Sequence, residues 1–324
     1  MKDRPCVLVT AIGGNVGQGV LRIIAAGFPR VRVVGTNTAA VSGGNHLCDQ
    51  VHLVPPAAEA AYAGEITRIV GVEAPDLIIP CTDQETLALS RLSMVLPKLA
   101  ASPAEVCATF LDKYLTGEAF HRAGLPFARS ALPSRYDGAF GSVIVKPREG
   151  RGSRDLFFNP ADPRAFDDTY VVQELLQGEE VTIGFYVTLQ RVLHGFLVMR
   201  RRLQGGTTVA CEVFRDKDVV VSDLLEGLVK ALPIRGSCNV QAIISSDGRV
   251  TPFEVNGRIS GTASIRHHFG FKDVEYTLEE HLFGRPPRPV RLSHGSAHRL
   301  LVDVIYPDLG MDDPRDRNTP HEVF

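Results

Sequence analysis

An α/β region followed by an α+β region is the fold class this sequence predicts, on three observations. Over the first hundred residues, short apolar strands alternate with helical stretches, the βαβ rhythm of an open parallel sheet. Beyond them, longer strand pairs replace that rhythm. Residues 238–261, CNVQAIISSDGRVTPFEVNGRISG, then read as a hairpin, because two alternating apolar runs flank Asp247-Gly248, a two-residue turn signal.

In chain order, residues 6–10 form a buried apolar strand, and a glycine loop over 11–19 runs into a helix at 16–26. Further strands are expected at 31–35, 50–54 and 77–80, with helices at 64–72 and 83–92. A helix over 111–123 ends at Gly124, with Pro126 just beyond. Strands follow at 141–146 and 170–174, then a pair at 181–188 and 191–200, then a helix at 221–231 that leads into the hairpin. The stretch from Pro307 onward is polar and proline-containing, and is expected to be loosely ordered.

The hairpin is the most informative segment. With Asp247-Gly248 as the turn, Ser246 opposes Arg249, and counting back sets Gln241 opposite Glu254 and Asn239 opposite Asn256. Alternation then puts Asn239, Gln241, Glu254, Asn256 and Arg258 on one face, and Val240, Ala242, Ile244, Phe253 and Val255 on the other. Two readings fit: an ordinary sheet with a solvated polar face, or oxygen ligands beside a guanidinium, as Mg²⁺ and phosphates require.

Composition narrows the class. A chain of 324 residues, 44% hydrophobic and 22% charged, has room for two or three domains with substantial cores. A net charge of -2 gives no overall attraction to nucleic acid or anionic membrane, so neither is expected as a partner. No apolar run approaches the roughly 18 residues of a spanning helix. Met1-Lys2-Asp3-Arg4 leads directly into a strand, unlike a signal peptide. Cysteines 6, 48, 81, 107, 211 and 238 are dispersed without metal or disulfide spacing, which suits reduced thiols in the cytoplasm.

The glycine loop Gly13-Gly14-Asn15-Val16-Gly17-Gln18-Gly19 stands where a dinucleotide fingerprint would stand, but its spacing is irregular. The acid expected after the second strand to hold a ribose is missing; that strand ends Val34-Gly35-Thr36-Asn37. A turn that packs helix on strand or shapes a crevice fits better. Asp83, Gln84 and Glu85 begin a helix, where acids either cap it or line the crevice at the strand end. Lys146 leaves an apolar strand beside a second glycine loop, Gly150-Arg151-Gly152-Ser153, so it is either a solvated surface lysine or a phosphate ligand. In Arg200-Arg201-Arg202 one arginine, Arg202, is expected to face phosphates or a substrate carboxylate; an exposed basic strand end is the alternative. Ser260-Gly261-Thr262 and Arg266-His267-His268 are placed to border a substrate pocket.

In this order, over roughly residues 6–305, the pieces resemble the ATP-grasp family. Through V-Q-(x)12-E-V-N-G-R, the hairpin is most similar to that of the carbamoyl-phosphate-synthetase large-chain branch. The resemblance implies a Rossmann-like domain over residues 1–107, without NAD, and an ATP-grasp domain over 108–306 whose two α+β subdomains clamp ATP. Of these, 108–171 is the lid subdomain and 172–306 the metal and catalytic one, with a polar tail at 307–324. It implies nucleotide contacts at Lys113 and Lys146, a lid loop including Gly150, Gly152 and Ser153, and an adenine edge at Glu174, Leu175 and Leu176. Glu180 would lie near the ribose, Gln241, Glu254 and Asn256 would hold Mg²⁺ (or Mn²⁺), and Arg258 would meet the transferring phosphate. The implied activity is ATP-dependent ligation of a small carboxylate, such as an amino acid, to an amine or a thiol through an acyl phosphate. A homodimer is the default assembly.

Departures from the pattern are Gln241, where many members carry a second acid, and a short lid. The single ATP-grasp unit does not suit complete carbamoyl phosphate synthesis. The rival functions are an NAD(P)-dependent reductase built on the first glycine loop and a non-catalytic ATP-binding module.

Overall fold

Strand β1 (Cys6–Val9) is buried on both faces, as its unbroken apolar run requires. Val7 and Val9 pack toward helix α1 (Asn15–Gly27), while Cys6 and Leu8 pack toward Tyr62, Ile66 and Ile69 of α2 (Ala61–Glu73). The computed structural model describes residues 4–93, 96–150 and 154–324. With β2 (Arg32–Asn37), β3 (Gln50–Leu53), β4 (Leu77–Ile79) and β5 (Lys98–Leu99), β1 forms a parallel sheet of order β3-β2-β1-β4-β5. Helix α3 (Asp83–Arg91) is capped by Thr82, whose hydroxyl accepts from the Glu85 N–H and donates to the Glu85 carboxylate.

The single helix expected over 111–123 is preceded by another: α4 (Ala104–Leu111) and α5 (Lys113–Arg122) meet at Asp112. Asp112 is extended (φ -97, ψ 114), and its Oδ1 accepts from the N–H groups of Tyr114 and Leu115, so it starts a new helix. Next comes an antiparallel sheet of order β6-β9-β7-β8, from β6 (Ser130–Ala131), β7 (Val143–Pro147), β8 (Phe157–Phe158) and β9 (Tyr170–Glu174). A subdomain division between residues 171 and 172 would fall inside β9, and one beyond Leu176 follows the sheets.

The third sheet contains β10 (Glu179–Val187), β11 (Leu193–Gln204), β12 (Thr207–Val213), β13 (Gly236–Ile244), β14 (Val250–Asn256) and β15 (Gly295–His298), in the order β14-β13-β10-β11-β12-β15. Strand β11 continues past the expected end at 200, and Gly205-Gly206 turns it into β12, a strand not expected from the sequence. Leu224, Leu225 and Leu228 of α6 (Asp218–Ala231) pack in one core with Val181, Ile183, Phe185 and Val240. That leaves the opposite face of β10 and β13 for polar side chains. Two short helices follow β14, α7 (Ala263–His268) and α8 (Asp273–Thr277).

The stretch from Pro307 onward is tied down rather than loose. Strand β16 (Val304–Ile305) pairs with β17 (Glu322–Val323). Between them, the Arg317 N–H donates to the Cys48 carbonyl (2.8 Å), and its guanidinium reaches the Leu47 carbonyl (2.6 Å) and Asp49 (3.3 Å). All six cysteines are free and buried. No described helix is long and apolar enough to cross a membrane.

Candidate functional site

Strands β13 and β14 pair with Gln241 opposite Glu254 and Asn239 opposite Asn256, the expected register, but they reach it differently. The turn is a three-residue loop, not the two-residue Asp247-Gly248 turn. Ser245 pairs with Arg249, and Gly248 takes the left-handed conformation (φ 84) that a loop of this length needs. That shifts the pairing by one residue, with Ala242 opposite Pro252. A bulge between Gln241 and Ala242 then restores it, because Phe253 is an extra residue on β14. Phe253 was expected on the core face; it lines the same cavity as its neighbour Glu254.

That cavity, of about 290 Å³, lies between the second and third sheets. Ile144, Leu156, Phe158, Leu203, Ile243 and Phe253 give it apolar walls. Lys146 of β7 is 5% exposed and stands over the Phe253 ring, 5.2 Å from its centroid. Burial lowers the Lys146 pKa to about 8, with Lys113 adding to the fall while Glu254 and Glu180 oppose it. Lys113 opens α5, and its ammonium donates to the Gly150 carbonyl (3.2 Å) and lies 3.9 Å from Glu254. The helix start is fixed by Arg148, whose guanidinium grips Asp112 at 2.5 Å. Burial pushes the Glu254 carboxyl up, but Lys113, Lys146, the Asn256 hydrogen bond and Arg258 outweigh it and hold it below its ordinary value.

The other expected residues sort clearly. Glu174, Leu175 and Leu176 line the cavity. The N–H groups of Glu174 and Leu175 donate to the carbonyls of Arg129 and Ser142, so among the described residues the first unpartnered N–H here is that of Leu176. Glu180 lines the cavity and accepts two bonds from Arg201 (2.6 and 3.1 Å) through Oε1. Arg201 also donates to Gln241 Oε1 (2.7 Å). Of the three consecutive arginines, Arg201 lines both cavities, whereas Arg202, the one expected there, is exposed and lines neither. Gly150 lines the cavity, whereas Gly152 and Ser153 lie outside the described residues. Asn256 donates to Glu254 Oε1 (3.0 Å), leaving its own oxygen as an acceptor.

A second cavity of about 450 Å³ adjoins the first, sharing Gly150, Arg154, Arg201, Gly206, Gln241 and Glu254. Its far side is built by Asn15, Val16, Asp83, Arg258, Ser260 and Thr262. Arg258 lies here rather than in the first cavity, and both its Nε (3.1 Å) and Nη2 (2.8 Å) donate to Asp83 Oδ2. So Glu85 is the capping acid of α3, and Asp83 lines the crevice. Arg266 is fully buried behind this wall, paired with Asp273 and donating to Ser260 Oγ (3.1 Å); His267 and His268 line neither cavity.

The first glycine loop packs against the protein itself. A Cβ on Gly17 would lie 2.5 Å from the Ala11 carbonyl, and one on Gly44 2.2 Å from the Ile12 carbonyl. The Asn37 side chain lies against Gly13. These close approaches explain Gly13 and Gly17 without a dinucleotide.

Charge sums distinguish the first cavity. Arg201 matches Glu180 and Arg129 matches Glu174, which leaves Lys113, Lys146 and Arg154 facing Glu254. An apolar slot ending in a positive pocket with one carboxylate suits a nucleoside polyphosphate. A family comparison agrees, matching residues 110–262 to the model described as "ATP-grasp domain". This part of the chain is an ATP-grasp domain.

Solved structures share the whole architecture. N5-carboxyaminoimidazole synthetase from Staphylococcus aureus, complexed with ADP, superposes with a TM-score of 0.77 at 13% identity, covering 93% of this chain and 83% of that one. The biotin carboxylase domain of Hydrogenobacter thermophilus 2-oxoglutarate carboxylase, in complex with MgADP, ADP and bicarbonate, gives 0.75 at 12%, covering 90% and 73%. Phosphoribosylglycinamide synthetase from Anaerococcus prevotii gives 0.68 at 15%, covering 96% and 86%. A sequence comparison with curated proteins finds no match. The fold is that of the ATP-grasp ligases, and the likeness to the carbamoyl-phosphate-synthetase branch rests on the hairpin motif alone.

Proposed function

We propose that the protein is an ATP-dependent ligase that activates a small carboxylate as an acyl phosphate and joins it to an amine. The observation that carries this reading is the pair of adjoining cavities that meet at Glu254, one apolar and cationic, the other polar. In this reading the base occupies the apolar slot with its edge at the Leu176 N–H, and the ribose lies by Glu180, whose Oε2 has no hydrogen-bond partner among the described residues. Lys113, Lys146 and Arg154 take the phosphates.

The donor set fits Mg²⁺. Among the described residues no cluster of three or more His, Cys, Asp or Glu side chains could cage a metal, and Mg²⁺ uses one or two carboxylates plus phosphate oxygens. Glu254 and the Asn256 oxygen would hold it, and Gln241, whose oxygen accepts one bond from Arg201, would join them through its second lone pair. Bound there, the metal would neutralise charge on the phosphates.

The chemistry then runs in two steps. The substrate carboxylate attacks the γ-phosphorus and ADP leaves; the amine next attacks the acyl carbon and phosphate leaves. Arg258 and Lys146 neutralise charge on the transferred group, and the walls exclude water from the acyl phosphate.

The decisive experiment is a phosphate-release screen with Mg-ATP against pairs of small carboxylates and amines. A productive pair should stimulate release, and Glu254→Gln should reduce it by about 10²–10³-fold, by analogy with loss of a preorganised transition-state contact. ADP binding with no stimulated release by any pair would favour a non-catalytic module. NADPH binding with fluorescence quenching would favour a reductase, for which the self-packed first glycine loop gives no support.

A further inference from the structure

We propose that Asp83 is a latch on Arg258, and that a cationic amine of the substrate opens it, freeing the guanidinium for the transferred phosphate. This rests on the ligase reading above and adds the chemistry that switches it on. Asp83 begins α3 just beyond the carboxyl end of β4, on the side of a parallel sheet where crevices form. It and Arg258 come from segments 175 residues apart, so their contact joins the first sheet to the strand that carries Glu254.

The geometry is one-sided. Asp83 Oδ2 accepts both guanidinium bonds, while Oδ1 has no hydrogen-bond partner among the described residues. Arg258 is further tied by a bond from Nη1 to the Ile259 carbonyl (3.2 Å). Held this way, Arg258 lines the second cavity and not the nucleotide cavity. The other carboxylate lining the second cavity is Glu254, which already has Lys113 and Asn256 beside it.

Burial dictates what can open the latch. The side chains are only 15% and 18% exposed, so removing Arg258 alone would strand a poorly hydrated carboxylate, a costly state. A neutral or anionic ligand cannot compensate for that. An ammonium on the substrate can, because it replaces one cation by another at Asp83 and has Oδ1 to approach. Arrival of the amine and release of Arg258 are then one event, and ATP is not hydrolysed before the acceptor is present.

The test reads uncoupled ATP hydrolysis, in which water takes the γ-phosphoryl group in place of the carboxylate, by the protein with Mg-ATP alone and with ammonium chloride as the minimal cationic amine, against sodium chloride at equal ionic strength. Asp83→Asn should raise amine-independent phosphate release by about tenfold, as a competent minor state of roughly a tenth becomes the main one. Ammonium should stimulate the wild type and not Asp83→Asn. Asp83→Glu, which keeps the carboxylate, should restore a low basal rate. Unchanged or lower basal release in Asp83→Asn, with ADP affinity and thermal melting as in the wild type, would overturn the latch. Equal response of the wild type to both salts would overturn the amine as its opener. Absence of ADP binding in the wild type would instead count against the ligase reading itself.

Discussion

Lys146 shows how burial and charge compete at a single residue. Its ammonium is enclosed, and its pKa is lowered to about 8, within reach of ordinary assay conditions. Below that value it carries the charge that phosphates need; above it the charge is lost. ADP affinity measured by calorimetry should therefore fall as pH rises through about 8. Lys146→Arg, which stays charged throughout this range, should flatten the profile. Glu254 offers no comparable switch in that range, because its carboxyl is held below its ordinary value. The arginine choice shows what one residue of register decides. Glu180 faces Arg201, but the pairing of β10 with β11 shifts by one residue between Tyr186 and Val187, so alternation alone could not single out Arg201 from Arg200-Arg201-Arg202.

At the scale of the element, β14 carries an insertion that leaves Glu254 opposite Gln241. Deleting Phe253 would convert the bulged hairpin into a regular one with Glu254 still opposite Gln241, since the pairing from Ser245 onward would continue without interruption. The variant should fold yet bind ADP about tenfold more weakly, for loss of the aromatic wall and of roughly 1–2 kcal/mol of cation–π contact with Lys146. Calorimetry with thermal melting separates the two effects. Gly248→Ala should cost about 1–2 kcal/mol in urea unfolding, because its left-handed φ disfavours a Cβ. Alternation and the Asp247-Gly248 signal made the hairpin, its polar face and the opposition of Gln241 and Glu254 legible in the sequence. The loop length and the bulge were not legible, because each shifts the count by one and the two cancel at Gln241. Helix α4 and strand β12 were missed for a related reason. Both are short apolar stretches whose state is set by the sheet or helix they pack on, not by their own period.

For the molecule as a whole, the C-terminal stretch and the Asp83–Arg258 pair are long-range ties on the first sheet. Composition alone pointed to a loose tail, and Arg317 reverses that by engaging three consecutive residues, Leu47, Cys48 and Asp49. Arg317→Ala should destabilise the protein by about 1–3 kcal/mol, the cost of one backbone carbonyl, that of Leu47, left without its donor and of a broken ion pair with Asp49, read as a lowered melting temperature; the backbone N–H at 317 keeps its bond to Cys48. Nucleotide binding should be largely spared, because the anchor lies away from both cavities. The bulge in β14 also has a practical use. The chain contains no tryptophan, and position 253 is an added residue whose side chain lines the first cavity beside Lys146. Phe253→Trp would make an enzyme with one indole, so that its emission reports nucleotide arrival, and the rate of that arrival, without a label.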